Sequence, residues 1–261
     1  MLIKYLSLCL YTSWGLNLRK ALKISLVAVF TALTMILTLT IQVYILATKG
    51  YFNIGEAMVY LSAILLGPYL GGFAGGLGSS LADVVSGYYY FAPGTFIIKS
   101  IEGFTVGLIY VKLKSLSRAS RRAAVFMFSI IPSVVFLTAS LIYYGDVLEL
   151  SFNSLGFGAV QPISTLSLSF PWYAWIMLSI AIFLVLLYIG FNVEPVTWII
   201  VFSCLSGGSL MVLGYFLYEF YILGYGWASI AEVPFNIAQV IVGLSIAVIL
   251  SKPLIRALKL G

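Results

Sequence analysis

The chain is 261 residues long, 62% hydrophobic and 8% charged, with no histidine and a formal net charge of +6. Apolar runs this long exclude a water-soluble core, and their continuity excludes a membrane β-barrel, whose strands alternate; they fit helices crossing ~30 Å of hydrocarbon. The missing histidine removes serine–histidine hydrolysis, histidine metal ligation and histidine proton relays, and the basic residues lie in blocks beside apolar segments, which signals topology and not nucleic-acid binding.

Residues 1–20 form an interrupted apolar stretch without a cleavage site and are predicted to be an N-terminal interfacial segment. Eight apolar segments follow, at 24–46, 56–68, 69–87, 95–112, 123–144, 172–191, 195–218 and 230–251. The predicted fold is therefore all-α, a polytopic transmembrane helical bundle in a single integral membrane domain. Segment one carries "AVFTA", whose Ala28 and Ala32 lie four apart and offer a flat face to a neighbouring helix. Segment two is short and ends at Gly67-Pro68, where proline removes a helical donor and clashes with the preceding turn, so a break is expected before segment three. Segment three holds two small-residue rows, Gly71–Gly75–Ser79 and Gly72–Gly76–Ser80, which let other backbones approach closely.

Segment four places Lys99 and Glu102 three residues apart near one end, so they share a helix face and can pair. Residues 145–170, between segments five and six, alternate apolar and polar residues around turn-forming ones, which predicts a small β-hairpin outside the membrane. Segment eight carries Glu232, Asn236 and Gln239 at spacings of four and three, one polar stripe on an apolar helix. No repeat, low-complexity tract or long linker interrupts the chain.

Orientation follows from the basic residues. Arg19, Lys20 and Lys23 precede segment one; Lys112, Lys114, Arg118, Arg121 and Arg122 fill the loop after segment four; Lys252, Arg256 and Lys259 follow segment eight. If every segment spans, these clusters share the cytoplasmic side, with both termini. The outer side receives Lys49, the tyrosine-rich "SGYYYFAPG" and "YEFYILGYG", and Asp146, Glu149 and Glu219.

Asp83, Lys99, Glu102 and Glu232 are ionisable groups at the level of the apolar segments, each costing several kcal/mol in lipid unless paired or wet, so they are expected to face inward. The stripes on segments four and eight converge toward one aqueous pocket. A structural ion pair with amide contacts between helices explains the same residues, but intramembrane ionisable groups are functional by default, which favours a ligand role. No nucleotide-cradling glycine loop with its lysine is present, and two aspartates in unlike settings do not form a catalytic dyad. No catalytic residue, metal site or cofactor is expected.

The stretches "GYFNIGEA", "LLGPYLGGFAGGLGSSLAD", "YYYFAPGTFIIKSIEGF" and "YGWASIAEVPFNIAQVIVG", in this order, resemble the substrate-binding S component of energy-coupling-factor (ECF) vitamin transporters, most similarly the riboflavin-transporter-like branch. The likeness covers residues 21–113, core helices one to four, and 195–256, the last two core helices. Residues 114–194 then form an inserted helix pair, which preserves orientation and makes about eight spans from a six-helix core.

The resemblance implies capture of a small vitamin or vitamin precursor, riboflavin-like or another heterocycle, at an outward-facing pocket in the cell membrane. It implies delivery through a membrane-embedded T component powered by two cytoplasmic ATPases. Mapped onto this chain, the family's binding regions contain Asn53, Glu56, Lys99, Glu102, Tyr225, Trp227, Glu232, Asn236 and Gln239. Ala28 and Ala32 match its T-component contact, with the glycines of segment three as further candidates. Glu56 is expected to border the pocket, and Asp83 to fix the turn after segment three or to pair with Lys99. The competing readings are a proton-coupled secondary transporter working through Glu102 or Glu232, and a membrane protein with no transport role.

Overall fold

The computed structural model describes residues 2–45, 48–117, 120, 123, 127, 129–130, 134, 137, 147–154, 161–169, 172–192 and 194–257. Seven α-helices stand out among them: α1 (Leu2–Thr40), α2 (Glu56–Leu66), α3 (Pro68–Ser86), α4 (Ala92–Lys114), α5 (Trp172–Asn192), α6 (Pro195–Leu217) and α7 (Val233–Ala257). A π-helical turn at Tyr218–Ile222 and a 3-10 helix at Gly226–Glu232 lead from α6 into α7. Two antiparallel hairpins complete the set, β1 (Gln42–Tyr44) with β2 (Tyr51–Asn53), and β3 (Val147–Ser154) with β4 (Gln161–Ser169).

This is an all-α membrane bundle. Three stretches among the described residues are long and apolar enough to cross a membrane: Ala21–Thr40, Pro195–Ile222 and Gly226–Ala257, of 20, 28 and 32 residues. The expected segment at 123–144 falls largely outside the described residues, as do Arg118, Arg121, Arg122 and Lys259. α1 runs unbroken from Leu2 to Thr40, so the first expected segment, 24–46, is helical only as far as Thr40 and then turns into the strand Gln42–Tyr44.

Two compact units form, Met1–Ser115 with Ile199–Gly261, and Leu116–Trp198. The second holds α5 and the β3–β4 hairpin, which lies within the expected 145–170 stretch and pairs Val147 with Ser169 through Ser154 with Gln161, slipping register between Phe152 and Asn153. The β1–β2 hairpin belongs to the first unit and had no counterpart among the expected elements. It pairs Gln42 with Asn53 and Tyr44 with Tyr51, and the Ile45 N–H continues the ladder by donating to the Gly50 carbonyl at 2.9 Å.

α3 is the hub of the first unit. A glycine inside a helix costs about 1 kcal/mol against alanine, and α3 contains five between Gly71 and Gly78. The return is backbone-to-backbone packing on three sides. A Cβ at Gly72 would stand 2.7 Å from the Ser100 carbonyl of α4, and one at Gly103 of α4 would stand 2.8 Å from the Gly72 Cα. Gly75 faces Val59 of α2 at 2.9 Å, and Gly78 faces the Thr31 carbonyl of α1 at 2.5 Å. The two small-residue rows thus serve two different neighbours within the chain, and Gly71, Gly72, Gly75 and Gly76 are all buried. They present no face to a partner, contrary to the expectation that they assist at the T-component contact.

The ends of α3 follow from local chemistry. Pro68 starts it, as proline does at a first helical position, after Gly67 breaks the chain away from α2. Gly87 at φ 85° ends it, and the Tyr88 N–H returns to the Asp83 carbonyl at 2.8 Å, closing the C-terminal turn.

Candidate functional site

Three elements deliver charged or amide side chains to one place in the first unit. α2 begins directly after Gly55, so Glu56 occupies its first turn, where the helix dipole favours a carboxylate. Lys99 and Glu102 lie one turn apart on α4, and Gln239 comes from α7; all four side chains are buried. Lys99 Nζ donates to Glu56 Oε2 and, at 3.1 Å, to Glu102 Oε2. Gln239 Nε2 donates to the same Glu56 oxygen at 2.8 Å, and the Tyr60 hydroxyl donates to Glu102 Oε1 at 3.2 Å. The Lys99 ammonium also sits 5.7 Å from the centre of the Tyr215 ring. Gly243 of α7 makes the arrangement possible, because a Cβ there would stand 2.6 Å from Glu56 Cγ.

The β1–β2 hairpin closes over this cluster through polar bonds. The Asn53 backbone N–H and side-chain amide both donate to Gln239 Oε1 at 3.1 Å. The Thr48 hydroxyl donates to Glu232 Oε2, the Tyr51 hydroxyl donates to Asp83 Oδ1, and Gln42 Nε2 donates to Ser86 Oγ at 3.0 Å. Gly50 lets the Glu232 carboxylate pass beneath the turn, since a Cβ at that position would lie 2.5 Å from Oε2. Burial and the neighbouring Asp83 charge push the Tyr51 phenol well above its usual range, so it remains a hydroxyl donor.

A cavity of about 30 Å³ lies between these groups, room for a water molecule or two. Its wall includes Thr38 of α1, Asp83 of α3, Lys99 of α4, Tyr215 of α6, and Glu232, Asn236 and Gln239. Asn53 and Tyr51 border it from the hairpin side. Glu56 and Glu102 lie behind Lys99 and bear on the cavity through it.

The other expected positions fall elsewhere. Trp227 is 74% exposed and packs edge-on against Phe220 with centroids 5.2 Å apart. Tyr225 packs beside the apolar group of Phe91, Ile98, Met211, Tyr215 and Val240. Ala28 and Ala32 are both exposed on α1. Asp83 is bonded to Tyr51, and the buried ion pairs of Lys99 among the described residues run to Glu56 and Glu102, so the suggested Asp83–Lys99 pair does not form. Glu219, read from the sequence as a charge on the outer surface, is fully buried in the π-helical turn beside the carboxyl of Glu232.

Sequence reasoning missed Thr38, Thr48, Tyr51 and Tyr215. Thr34 and Thr38, four apart and both buried on α1, were a readable polar stripe. Thr48 and Tyr51 sit in a short connection with no periodicity, and Tyr215 looks like any aromatic residue in an apolar helix. Among the described residues no group of three His, Cys, Asp or Glu side chains is placed to hold a metal ion.

The family described as ECF-type riboflavin transporter, S component, matches residues 19–163. A protein of Pyrococcus woesei described as "Uncharacterized protein in gap 3'region" is 50% identical over 70 residues, covering 27% of this chain and 47% of its own. The chain thus spans about half the length of that curated relative. No solved structure matches.

Proposed function

The chain belongs to the family of ECF-type riboflavin transporter S components, and on that premise we propose that it is the substrate-specific binding subunit of an ECF-type importer. The observation that carries the reading is the convergence of Asn53, Lys99, Glu232, Asn236 and Gln239, from the hairpin, α4, the 3-10 helix and α7, on one cavity in the bundle. A bundle held by packing alone has no need to bury so many ionisable and amide groups at one end, because each is costly in hydrocarbon.

The ligand is a small vitamin or vitamin precursor, riboflavin or another heterocycle. Pockets for such molecules enclose ~300–1,000 Å³, far more than the about 30 Å³ present here. In this reading the hairpin lies closed over the site, and entry requires it to lift from Gln239 and Glu232. Asn53 and Gln239 then exchange their mutual bonds for bonds to the ligand, while Glu56 holds Lys99 in place from behind. Tyr225 and Trp227 lie at the mouth side of α7 in this reading, and no residue is assigned a catalytic role.

Transport follows from partners. A T component docks on α1 through the exposed Ala28 and Ala32, where small side chains let a second helix come close, and two ATPases supply the energy. The protein sits as a multi-pass component of the cell membrane with both termini cytoplasmic, since Lys23, Lys112, Lys114 and Arg256 flank the same ends of the spans.

Uptake of radiolabelled vitamin into cells carrying this chain tests the reading. It should require co-expressed T component and ATPases and survive a protonophore. Uptake that needs neither partner and collapses with the proton gradient would instead favour the secondary transporter working through Glu102 or Glu232.

A further inference from the structure

The hydrogen-bond inventory of the cavity is lopsided. Most of its donors are committed inward: the Tyr51 hydroxyl to Asp83, the Thr48 hydroxyl to Glu232, and the Gln239 amide and Lys99 ammonium to Glu56, while the Asn236 amide stands on the wall beside them. Lys99 also gives a proton to Glu102, and it stands over the Tyr215 ring. On the acceptor side, Asp83 is 3% exposed and its Oδ2 closes no hydrogen bond among the described residues, although the Thr95 hydroxyl stands beside the carboxyl. Thr38 Oγ1, likewise buried and on the cavity wall, also closes none, and as a hydroxyl it can accept or donate. Composition points the same way: among the described residues, four buried carboxyl groups, Glu56, Asp83, Glu102 and Glu232, gather near one buried ammonium, Lys99.

We propose that this cavity selects its ligand by charge and hydrogen-bond polarity, admitting a neutral or cationic molecule rich in N–H or O–H donors and rejecting phosphate esters and carboxylates. The inference rests on the reading of the cavity as the binding site. A donor from the ligand satisfies Asp83 Oδ2, which otherwise stays buried at a cost. An anion would find no free cation, because the lysine is held between two carboxylates, and would face Asp83 and Glu232 at short range in a low-dielectric setting. Glu219 behind Glu232 adds acid and no base to that side.

Matched probes test this on the purified full chain in detergent, by equilibrium binding: riboflavin against riboflavin 5′-phosphate, pantothenol against pantothenate, and thiamine against its monophosphate. In any pair that binds, the more negatively charged member should bind at least about tenfold more weakly, and Asp83→Asn should shrink that ratio. Where Asp83→Asn does not fold, Glu232→Gln provides the same comparison. An anion that binds as well as its partner overturns the charge selection and leaves the carrier reading standing. A ratio unchanged in both variants overturns the assignment to these carboxylates. No binding by any of the six compounds at about 1 mM overturns the vitamin-carrier reading and this proposal with it.

Discussion

Gln239 on α7 accepts two hydrogen bonds from Asn53 at the end of the β1–β2 hairpin, each 3.1 Å long, and with its own amide donates to Glu56 at 2.8 Å. One side chain therefore joins the hairpin above the cavity to the ion-pair cluster beneath it.

Replacing Gln239 with leucine should release the hairpin, leaving the two half-buried Asn53 donors without their acceptor and Glu56 Oε2 with Lys99 alone. Each such group costs ~1–3 kcal/mol. Amide hydrogen exchange at residues 51–53 should become measurably faster than in the parent protein, and vitamin binding should weaken at least about tenfold. Unaltered exchange would mean that the hairpin is held by Tyr51–Asp83, Thr48–Glu232 and Gln42–Ser86 without Gln239.

Lys99 has a role in stability that separates from ligand binding. Lys99→Met leaves the carboxylates of Glu56 and Glu102 buried without their cation, which should cost ~3–5 kcal/mol. Adding Glu102→Gln should restore part of that loss. Thermal unfolding in detergent checks both, and a Lys99→Met variant as stable as the parent would contradict the buried pairing.

The α3–α4 contact leaves no room for side chains. Gly72→Val and Gly103→Leu should each abolish accumulation of folded protein, because the clash is with backbone that cannot move aside. Size-exclusion chromatography of the solubilised membranes reads the result. By contrast Gly87→Ala should fold and lose only ~1 kcal/mol, the cost of a Cβ in the left-handed cap.

Ala28→Leu with Ala32→Leu should spare ligand binding and lower uptake, since both residues are exposed in this chain and neither touches the cavity. Co-purification with a T component should fall in parallel. Normal uptake in the double variant would remove α1 as the docking helix.

What the sequence carried, and what it hid, follows from the range of the interactions. The break between α2 and α3 was readable because Gly67-Pro68 acts locally, and so was the polar stripe of Glu232, Asn236 and Gln239. Spacing along α4 correctly suggested that Lys99 meets Glu102. It could not show that Lys99 also meets Glu56, 43 residues earlier, because only tertiary packing brings α2 and α4 together. Glu219 was misplaced for a related reason: an acid at the end of an apolar span reads as solvated, and the π-helical turn tucks it inward. The β1–β2 hairpin was overlooked because its strands are three residues each, too short for alternation to register.

Native mass spectrometry of the protein freed from its own membranes tests the central claim most directly. The account predicts one small molecule bound per chain in the parent, carried over from the cell, and its loss in Glu232→Ala and Gln239→Leu variants that remain folded. A parent protein that carries a molecule retained equally by both variants would place binding outside this cavity and contradict the account.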